Sequence, residues 1–133
     1  SGIKRTVYEL IATTNTPSEL RDISFSRLTA KDISIAANKG DRLALEAFDY
    51  TAKVLGLKLA DTVAYLSPEA IILLGGFALA GDLIFAPTRR YMEEFLLPIF
   101  RNKVKIIASA LPEGNAAVLG AAALIWNEIN TNN

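Results

Sequence analysis

The sequence predicts an α/β protein that is rich in helix and has few strands. Three features lead to this prediction: a short apolar run at residues 70–74 that ends on two glycines, a long apolar stripe at helical spacing in residues 45–66, and a second apolar run at residues 104–111. Apolar runs without polar alternation are typical of strands in parallel sheets, and a period near 3.6 residues is typical of helices.

The composition excludes several kinds of chemistry. The 133 residues include no cysteine and no histidine, so the chain itself has no disulfide, Cys/His zinc site, thiol nucleophile or histidine general base. Basic and acidic residues number 14 each, which gives no indication of binding to nucleic acid or an anionic membrane. No apolar run reaches the roughly 18 residues of a membrane span. The start of the chain does not resemble a signal peptide, and we expect a cytoplasmic protein.

The first part of the chain is predicted to be helical. Apolar residues at helical spacing predict a first helix over residues 3–12. Thr29 is predicted to cap a short helix that ends near Asn38, where Gly40 supplies a left-handed residue. Asp41 is then predicted to cap a longer helix, because its carboxylate can accept hydrogen bonds from the first free N–H groups.

This longer helix has the clearest apolar pattern in the chain. Gly56 and Ala60 lie one turn apart on it, so another backbone can approach closely there. Pro68 is predicted to mark the end of the helix. Its stripe is predicted to consist of Leu45, Phe48, Ala52, Leu55, Leu59, Val63 and Leu66.

A strand, a helix and a second strand are predicted to follow. The run Ala70–Leu74 is expected to be covered on both faces and therefore central in a sheet. Asp82 is predicted as the N-cap of the helix, with Pro87 near its first turn and Pro98 at its end. The residues Arg101–Lys103 are expected to form a solvated turn before the second strand.

The last part of the chain is predicted to be a strand and a helix. The strand is expected over Val104–Leu111, and Pro112–Gly114 should turn the chain. Asn115 is predicted to cap a terminal helix that ends near Ile129. Gly120 within that helix is expected to allow close packing against the sheet, since glycine otherwise costs about 1 kcal/mol relative to alanine there.

Two strands are too few for a self-sufficient sheet, particularly when one is apolar on both faces. Either the strands pair with another molecule, or the chain is the C-terminal part of a larger protein. The absence of an initiator methionine favours the second alternative. We also expect self-association, because so short and apolar a chain leaves apolar surface exposed.

The order of several motifs resembles the ROK family, which is named for repressors, open reading frames and kinases and includes bacterial glucokinases. The resemblance covers nearly the whole chain and is closest to the glucokinase-like members. The motifs are Ser1–Ile3, Thr29–Ile33, Ala36–Asp41 with Ala44–Leu45, Pro68–Gly76, Ala80–Asp82 and Asn115–Ala122.

The resemblance implies a fold and a nucleotide site. The fold is part of an actin-like ATPase domain (ribonuclease H-like, sugar kinase/Hsp70). The segment matching Leu74–Gly76 lies in the nucleotide site of that family, where glycines let the adenosine end of ATP lie against the backbone. Gly75, Gly76 and Phe77 are therefore the candidate cofactor-binding residues. Many family members have a small residue where Phe77 stands, and Phe77 either borders adenine or, as we favour, belongs to the core.

The resemblance also indicates what lies outside this chain. Family kinases carry a Gly-rich phosphate loop, a catalytic Asp and sugar-contacting Glu and His residues upstream, and usually a Cys/His zinc site. No catalytic residue and no metal ligand is therefore assigned here. Asp82 and the pair Gly114–Asn115 could border the nucleotide cleft, but helix capping and a turn explain them without a ligand. Thr29, Lys31 and Asp32 are interpreted as helix-start residues.

Three functions are compatible with these observations. The first is the C-terminal portion of a kinase that transfers the γ-phosphate of MgATP to the 6-hydroxyl of glucose or a related hexose, with no nucleic-acid partner. The second is the same portion of a ROK repressor that binds a sugar effector and DNA. The third is an interaction domain without a ligand. The pair Gly75–Gly76 favours the kinase, because a repressor has less need of a nucleotide cleft.

Overall fold

A computed structural model describes residues 2–73 and 80–109 of the chain. The helices are α1 (Gly2–Thr13), α2 (Ala30–Asn38), α3 (Arg42–Leu66) and α4 (Asp82–Phe95), and the strands are β1 (Ala70–Leu73) and β2 (Lys105–Ala108). Short 3₁₀ helices occur at Glu19–Asp22 and Pro98–Phe100. Within the described residues, no helix is long and apolar enough to span a membrane.

The helix starts and ends in the first half follow from local side-chain chemistry, as predicted. The Thr29 side chain accepts the N–H of Asp32, and the Asp32 carboxylate accepts the N–H of Thr29, which is a capping box. Asp41 accepts the N–H of Ala44 at the start of α3. Gly40 has a φ of 89°, in the left-handed region that glycine reaches without strain.

One arginine, Arg21, holds the first part of the loop between α1 and α2 in place through hydrogen bonds to the backbone. The guanidinium of Arg21 donates to the carbonyl oxygens of Ile11, Thr14 and Thr16 at 3.0, 2.7 and 2.8 Å. The first two of these carbonyls belong to the end of α1 and the residue after it, where a helix leaves carbonyl groups without intrahelical partners. A guanidinium can satisfy several such groups at once because its donors form a planar fork.

The α3 helix is the centre of the core, with α1, α2 and α4 packed around it. Its crossing with α4 is very close: a Cβ built on Gly56 would stand 2.8 Å from the backbone N of Met92. The prediction that another backbone packs at Gly56 and Ala60 is confirmed at Gly56. The predicted stripe is wrong at its two ends, because Leu45 and Leu66 are exposed. The buried residues of α3 are Leu43, Ala44, Ala47, Phe48, Ala52, Gly56, Leu59, Ala60 and Val63.

The strands β1 and β2 are parallel neighbours, with Ala70 opposite Lys105 and Leu73 opposite Ala108. Because α4 connects them, the three elements form a βαβ unit. The prediction that β1 is covered on both faces is not met within the described residues. Ile71 packs against the core, but Ile72 is 61% exposed, because the described helices cover only one face.

Two predictions about α4 are wrong in detail. The N-cap is Gly81, with φ 57° and ψ −134°, and Asp82 is the first helical residue. Glycine can adopt this backbone conformation, so the chain enters the helix one residue earlier than a carboxylate cap would require. Pro87 lies in the second turn rather than the first, inside the helix. Helix α4 ends at Phe95, and Pro98 begins the following 3₁₀ helix.

The start of β2 agrees with the predicted turn. Asn102 has a φ of 60° and donates its N–H to a carboxylate oxygen of Glu93 at 2.9 Å. Val104 is buried before the strand begins at Lys105. The predicted strand end at Leu111, the turn at Pro112–Gly114 and the terminal helix from Asn115 lie outside the described residues, as does Leu74.

Candidate functional site

The carboxyl ends of the two strands lie side by side. Leu73 and Ala108 are register partners, and the N–H of Ser109 donates to the carbonyl of Leu73 at 3.0 Å. The segments that leave β1 and β2 therefore start at one edge of the sheet, which we call the carboxyl edge. In open α/β sheets, ligands bind in the crevice at the carboxyl ends of the strands.

The residues predicted to contact the nucleotide follow β1 in the sequence. Gly75, Gly76 and Phe77 lie outside the described residues, between Leu73 at the end of β1 and Gly81 at the start of α4. Their assignment as nucleotide-binding residues stays a prediction. The structure describes the residues on either side of this segment, Leu73 and Gly81, and both belong to the βαβ unit.

The start of α4 lies near the carboxyl edge, because a helix that connects parallel neighbours runs back along the sheet. Gly81 makes no side-chain cap, and its carbonyl accepts the N–H groups of Ile84 and Phe85 at 3.1 and 3.0 Å. Asp82 therefore does not occupy the helix terminus as a cap in the way that the sequence predicted. Its carboxylate nevertheless lies in the first turn, where its charge offsets the positive end of the helix dipole. The N-terminus of α4 is therefore expected to bind an anion only weakly.

Asp32 belongs to a helix start rather than to a site, as predicted. The hydroxyl of Thr29 donates to Asp32 Oδ2 at 2.7 Å, and the backbone N–H of Thr29 donates to the same oxygen at 2.9 Å. These two hydrogen bonds, the side-chain one above all, hold the pKa of Asp32 below its ordinary value of 3.8. Both act within the capping box, so the lowered pKa has a structural explanation.

One polar junction of the fold has no signal in the sequence. Asp41 accepts the hydroxyl of Ser18 at 2.8 and 2.9 Å on its two carboxylate oxygens and the N–H of Glu19 at 3.2 Å, while it caps α3. Ser18 in turn accepts the N–H of Leu20. The partners are more than 20 residues apart in the chain, and no local pattern records such a contact. The junction joins the loop after α1 to the start of α3.

The described side chains offer no catalytic constellation of their own. Within residues 2–73 and 80–109, no group of three or more acidic side chains is placed to hold a metal ion. A shallow groove between α1 and α3 is lined by Arg5, Thr6, Tyr50, Val54 and Lys58 among others, and none of these five side chains is buried. The carboxyl edge is therefore the candidate functional site, and its chemistry is that of backbone and small residues.

Comparison with known proteins relates this chain to sugar kinases and to repressors. It is 35% identical to a glucokinase of Thermotoga maritima over 100 residues, which are 75% of this chain and 31% of that protein. It is 31% identical to the N-acetylglucosamine repressor of Escherichia coli O157:H7 over 97 residues, 73% of this chain and 23% of the repressor. The chain thus spans about a third or less of the length of these curated relatives.

The fold is that of the ROK sugar kinases, an actin-like ATPase fold of which this chain forms a helix-rich part. A ROK family glucokinase from Streptomyces griseus, solved in complex with glucose and AMPPNP, superposes with a TM-score of 0.76 at 31% identity, covering 92% of this chain and 40% of that one. The model of the ROK family matches residues 5–128 of this chain. The resemblance seen in the sequence motifs is confirmed, and the chain belongs to the ROK family.

Proposed function

We propose that this chain is the C-terminal portion of an ATP-dependent hexose kinase of the ROK family, and that it contributes the adenosine side of the nucleotide cleft. The observation that carries the proposal is the carboxyl edge, where Leu73 and Ala108 lie as register partners and the segment with Gly75 and Gly76 leaves β1. Support comes from the glucokinases of Thermotoga maritima and Halalkalibacterium halodurans, which are 35% and 34% identical to the chain.

In this proposal the chain binds and orients the nucleotide rather than performing the transfer. Glycines have no Cβ, so the backbone at Gly75 and Gly76 lets the flat adenosine lie against it. Phosphoryl transfer depends on positioning, on Mg²⁺ and on a placed base. The catalytic Asp and the phosphate loop belong to the upstream part of the longer protein, and the acceptor is glucose or a related hexose. We further propose a cytoplasmic, homo-oligomeric parent enzyme.

The second candidate is the corresponding portion of a sugar-responsive repressor. The 31% identity to the N-acetylglucosamine repressor of Escherichia coli favours it, because this value is close to those of the glucokinases. A repressor would bind its sugar effector and DNA through upstream segments. It would have little use for the close backbone approach at Gly75–Gly76, which is why we place the kinase first.

The test uses the full-length protein that contains this segment. We expect ADP formation from ATP when a hexose is present, measured with a coupled assay across glucose, N-acetylglucosamine and other hexoses. Gly75→Val should raise the KM for ATP about tenfold, equivalent to about 1.4 kcal/mol, and leave the KM for the hexose nearly unchanged. The matched control is Gly2→Val, because Gly2 is exposed and a Cβ built on it would meet no atom within 4 Å.

The outcomes separate the three candidates. Hexose-dependent ADP formation with the ATP-specific effect of Gly75→Val supports the kinase. No turnover with any hexose, together with DNA binding that a sugar abolishes, supports the repressor. If neither activity is found and Gly75→Val changes only the melting temperature, the segment is an interaction domain.

A further inference from the structure

Strand β2 has an outer edge, on the side away from β1, with which no other described strand pairs. Its ladder to β1 uses alternate residues: the N–H groups of Lys105 and Ser109 donate to carbonyl oxygens on the β1 side at 3.2 and 3.0 Å. Because bonding in a ladder alternates along a strand, the N–H and C=O groups of Ile106 and Ala108 point away from β1. We call the outward backbone groups of these two residues the β2 edge.

The outward groups of Ile106 have little contact with water, because this residue is only 5% exposed. On the outer edge of β1, the corresponding groups belong to Ala70 and Ile72, and both of these residues are exposed. Water can satisfy backbone groups on an exposed edge, whereas an unpaired group that is shielded from water costs about as much as a lost hydrogen bond. Of the two edges of this sheet, the β2 edge therefore has the greater need of a partner strand.

A groove of about 380 Å³ runs beside the β2 edge and gives access to it. On its helix side lie Arg89 and Glu93 of α4, whose opposite charges exclude neither an acidic nor a basic strand. An extended segment that enters such a groove can add a strand to the sheet, which is a common mode of binding at free edges. The strand side of the groove is formed by Val104, Lys105, Ile106 and Ile107.

A second copy of β2 fits this edge in the antiparallel orientation. In an antiparallel ladder, two residues that face each other as a hydrogen-bonded pair exchange both of their N–H···O bonds. With a two-fold axis at Ile107, Ile106 of each copy faces Ala108 of the other copy. All outward groups of both copies are then paired, and both copies use the same patch, as a closed two-fold contact requires.

The side chains of β2 also agree with self-pairing. Ile107 is 45% exposed, and at the axis it would meet its own copy as a non-hydrogen-bonded pair, in which side chains come closest. Pairs of β-branched residues stabilise a sheet at such positions, whereas like charges directly opposite each other destabilise it. Lys105 would face position 109 of the second copy, so the two lysines do not oppose each other.

We propose that the β2 edge is a dimer interface, at which the β2 strands of two copies pair antiparallel about Ile107. One sheet then continues through both copies with twice the number of described strands, and sheets of more than two strands are the more stable ones. The proposed function includes a homo-oligomeric parent but assigns no contact surface to it. This interface does not depend on whether the parent is a kinase or a repressor.

The first test is a disulfide at the two-fold axis. The full chain has no cysteine, so Ile107→Cys introduces a single thiol. Non-hydrogen-bonded antiparallel pairs have Cα atoms about 4.5 Å apart, which a disulfide can span. Mild oxidation should therefore link two copies at least about fivefold faster than with Ile72→Cys, the exposed register partner on β1. In the proposed dimer, the two copies of position 72 are three strand spacings apart, about 14 Å.

Two matched proline substitutions distinguish the β2 edge from the outer edge of β1. Ala108 and Ala70 are both exposed, and the N–H of each points away from the ladder between the two strands. Proline is tolerated in an edge strand where its missing N–H would face outward. Ala108→Pro removes one donor of the interface in each copy, so it should raise the dissociation constant of the dimer at least about tenfold in analytical ultracentrifugation. Ala70→Pro should change this constant less than about twofold.

Three results would overturn the proposal. The chain would be monomeric at every concentration tested, or Ala70→Pro would weaken the dimer as much as Ala108→Pro does, or Ile107→Cys and Ile72→Cys would link at equal rates. The disulfide test decides the question even if a proline variant does not fold. Ile107 is exposed, and its replacement by cysteine leaves the backbone ladder to β1 intact.

Discussion

Gly56 of α3 lies directly against Tyr91 of α4: a Cβ built on Gly56 would stand 2.7 Å from the Cβ of Tyr91. The same added atom would meet the backbone N of Met92 at 2.8 Å and the carbonyl oxygen of Thr88 at 3.0 Å. Two of these three neighbours are backbone atoms, which cannot rotate aside as the end of a long side chain can. The two helices are therefore in backbone contact at this point.

This contact predicts that Gly56→Ala destabilises the protein. Alanine favours a helix interior by about 1 kcal/mol over glycine, but forcing two packed helices apart costs more. We expect a net loss of about 1–2 kcal/mol in the free energy of unfolding, measured by urea denaturation. Gly2→Ala is the control, because a side chain there meets nothing within 4 Å, and it should be nearly neutral. A stabilised Gly56→Ala variant would contradict the close crossing.

The junction of Ser18 and Asp41 predicts energetic coupling between the loop and α3. Asp41→Ala removes a helix cap and leaves Ser18 without its acceptor, so we expect a loss of about 1–2 kcal/mol. In a double-mutant cycle with Ser18→Ala, the coupling energy should be at least about 0.5 kcal/mol. Ser26→Ala, at an exposed position in the same loop, serves as the control. Strictly additive losses would mean that the hydrogen bond does not form in solution.

The capping box predicts a pH dependence near the acid end of the range. The pKa of Asp32 is lowered in the folded chain, first by the Thr29 hydroxyl and then by its backbone N–H. A lowered pKa means that the box contributes its stability fully above the unfolded value of 3.8 and loses it as the pH falls through the lower, folded value.

The measurement is a carboxyl titration followed by NMR. Thr29→Val should raise the pKa of Asp32 towards 3.8, because the first cause of the shift is removed. The stability difference between the wild type and Asp32→Asn should be constant above that pH and shrink below it. If the stability difference between the wild type and Asp32→Asn grew as the pH fell, the capping box would not be stabilised by the ionised carboxylate.

The hydroxyl of Thr88 predicts a stabilising substitution. Thr88 is fully buried in α4, and its Oγ1 has no hydrogen-bond partner among residues 2–73 and 80–109. A buried polar group without a partner costs free energy that an apolar group of the same shape does not. Thr88→Val should therefore raise the free energy of unfolding by about 1 kcal/mol. Thr88→Ser keeps the hydroxyl and loses the methyl group, so it should destabilise. A destabilised Thr88→Val variant would reveal a bonded hydroxyl.

The sequence predicted the features that depend on neighbouring residues. The caps at Thr29 and Asp41 and the left-handed Gly40 are decided within a few residues, and all three are confirmed. The presence and order of the two strands and the intervening helix are also confirmed within the described residues, because apolar runs are local signals. The predicted strand ends at Leu74 and Leu111 stay predictions, and the N-cap of the helix was predicted one residue too late. The family resemblance predicted the fold, which is confirmed.

The features that depend on tertiary packing were not predictable in this way. Leu45 and Leu66 fit the helical period, yet they are exposed. At the start of α3 the neighbouring elements bury Leu43 and Ala44 instead, and the last buried residue of the helix is Val63. Ile72 is apolar like its neighbours, and nothing in its own run indicates which face the described helices cover. The Ser18–Asp41 junction joins residues that no local pattern connects. The nucleotide contacts of Gly75 and Gly76 remain predictions, because these residues lie outside the described ranges.

The three carbonyl contacts of Arg21 also fix the length of a loop. The guanidinium holds the carbonyl oxygens of Ile11, Thr14 and Thr16 within one planar fork, so the chain between the first and the last of them has a set contour. One inserted residue after Thr14 would move at least one oxygen out of reach, and one deleted residue would strain the turn. This short stretch is therefore a poor place for insertions or engineered tags, although it lies at the surface where loops normally accept them.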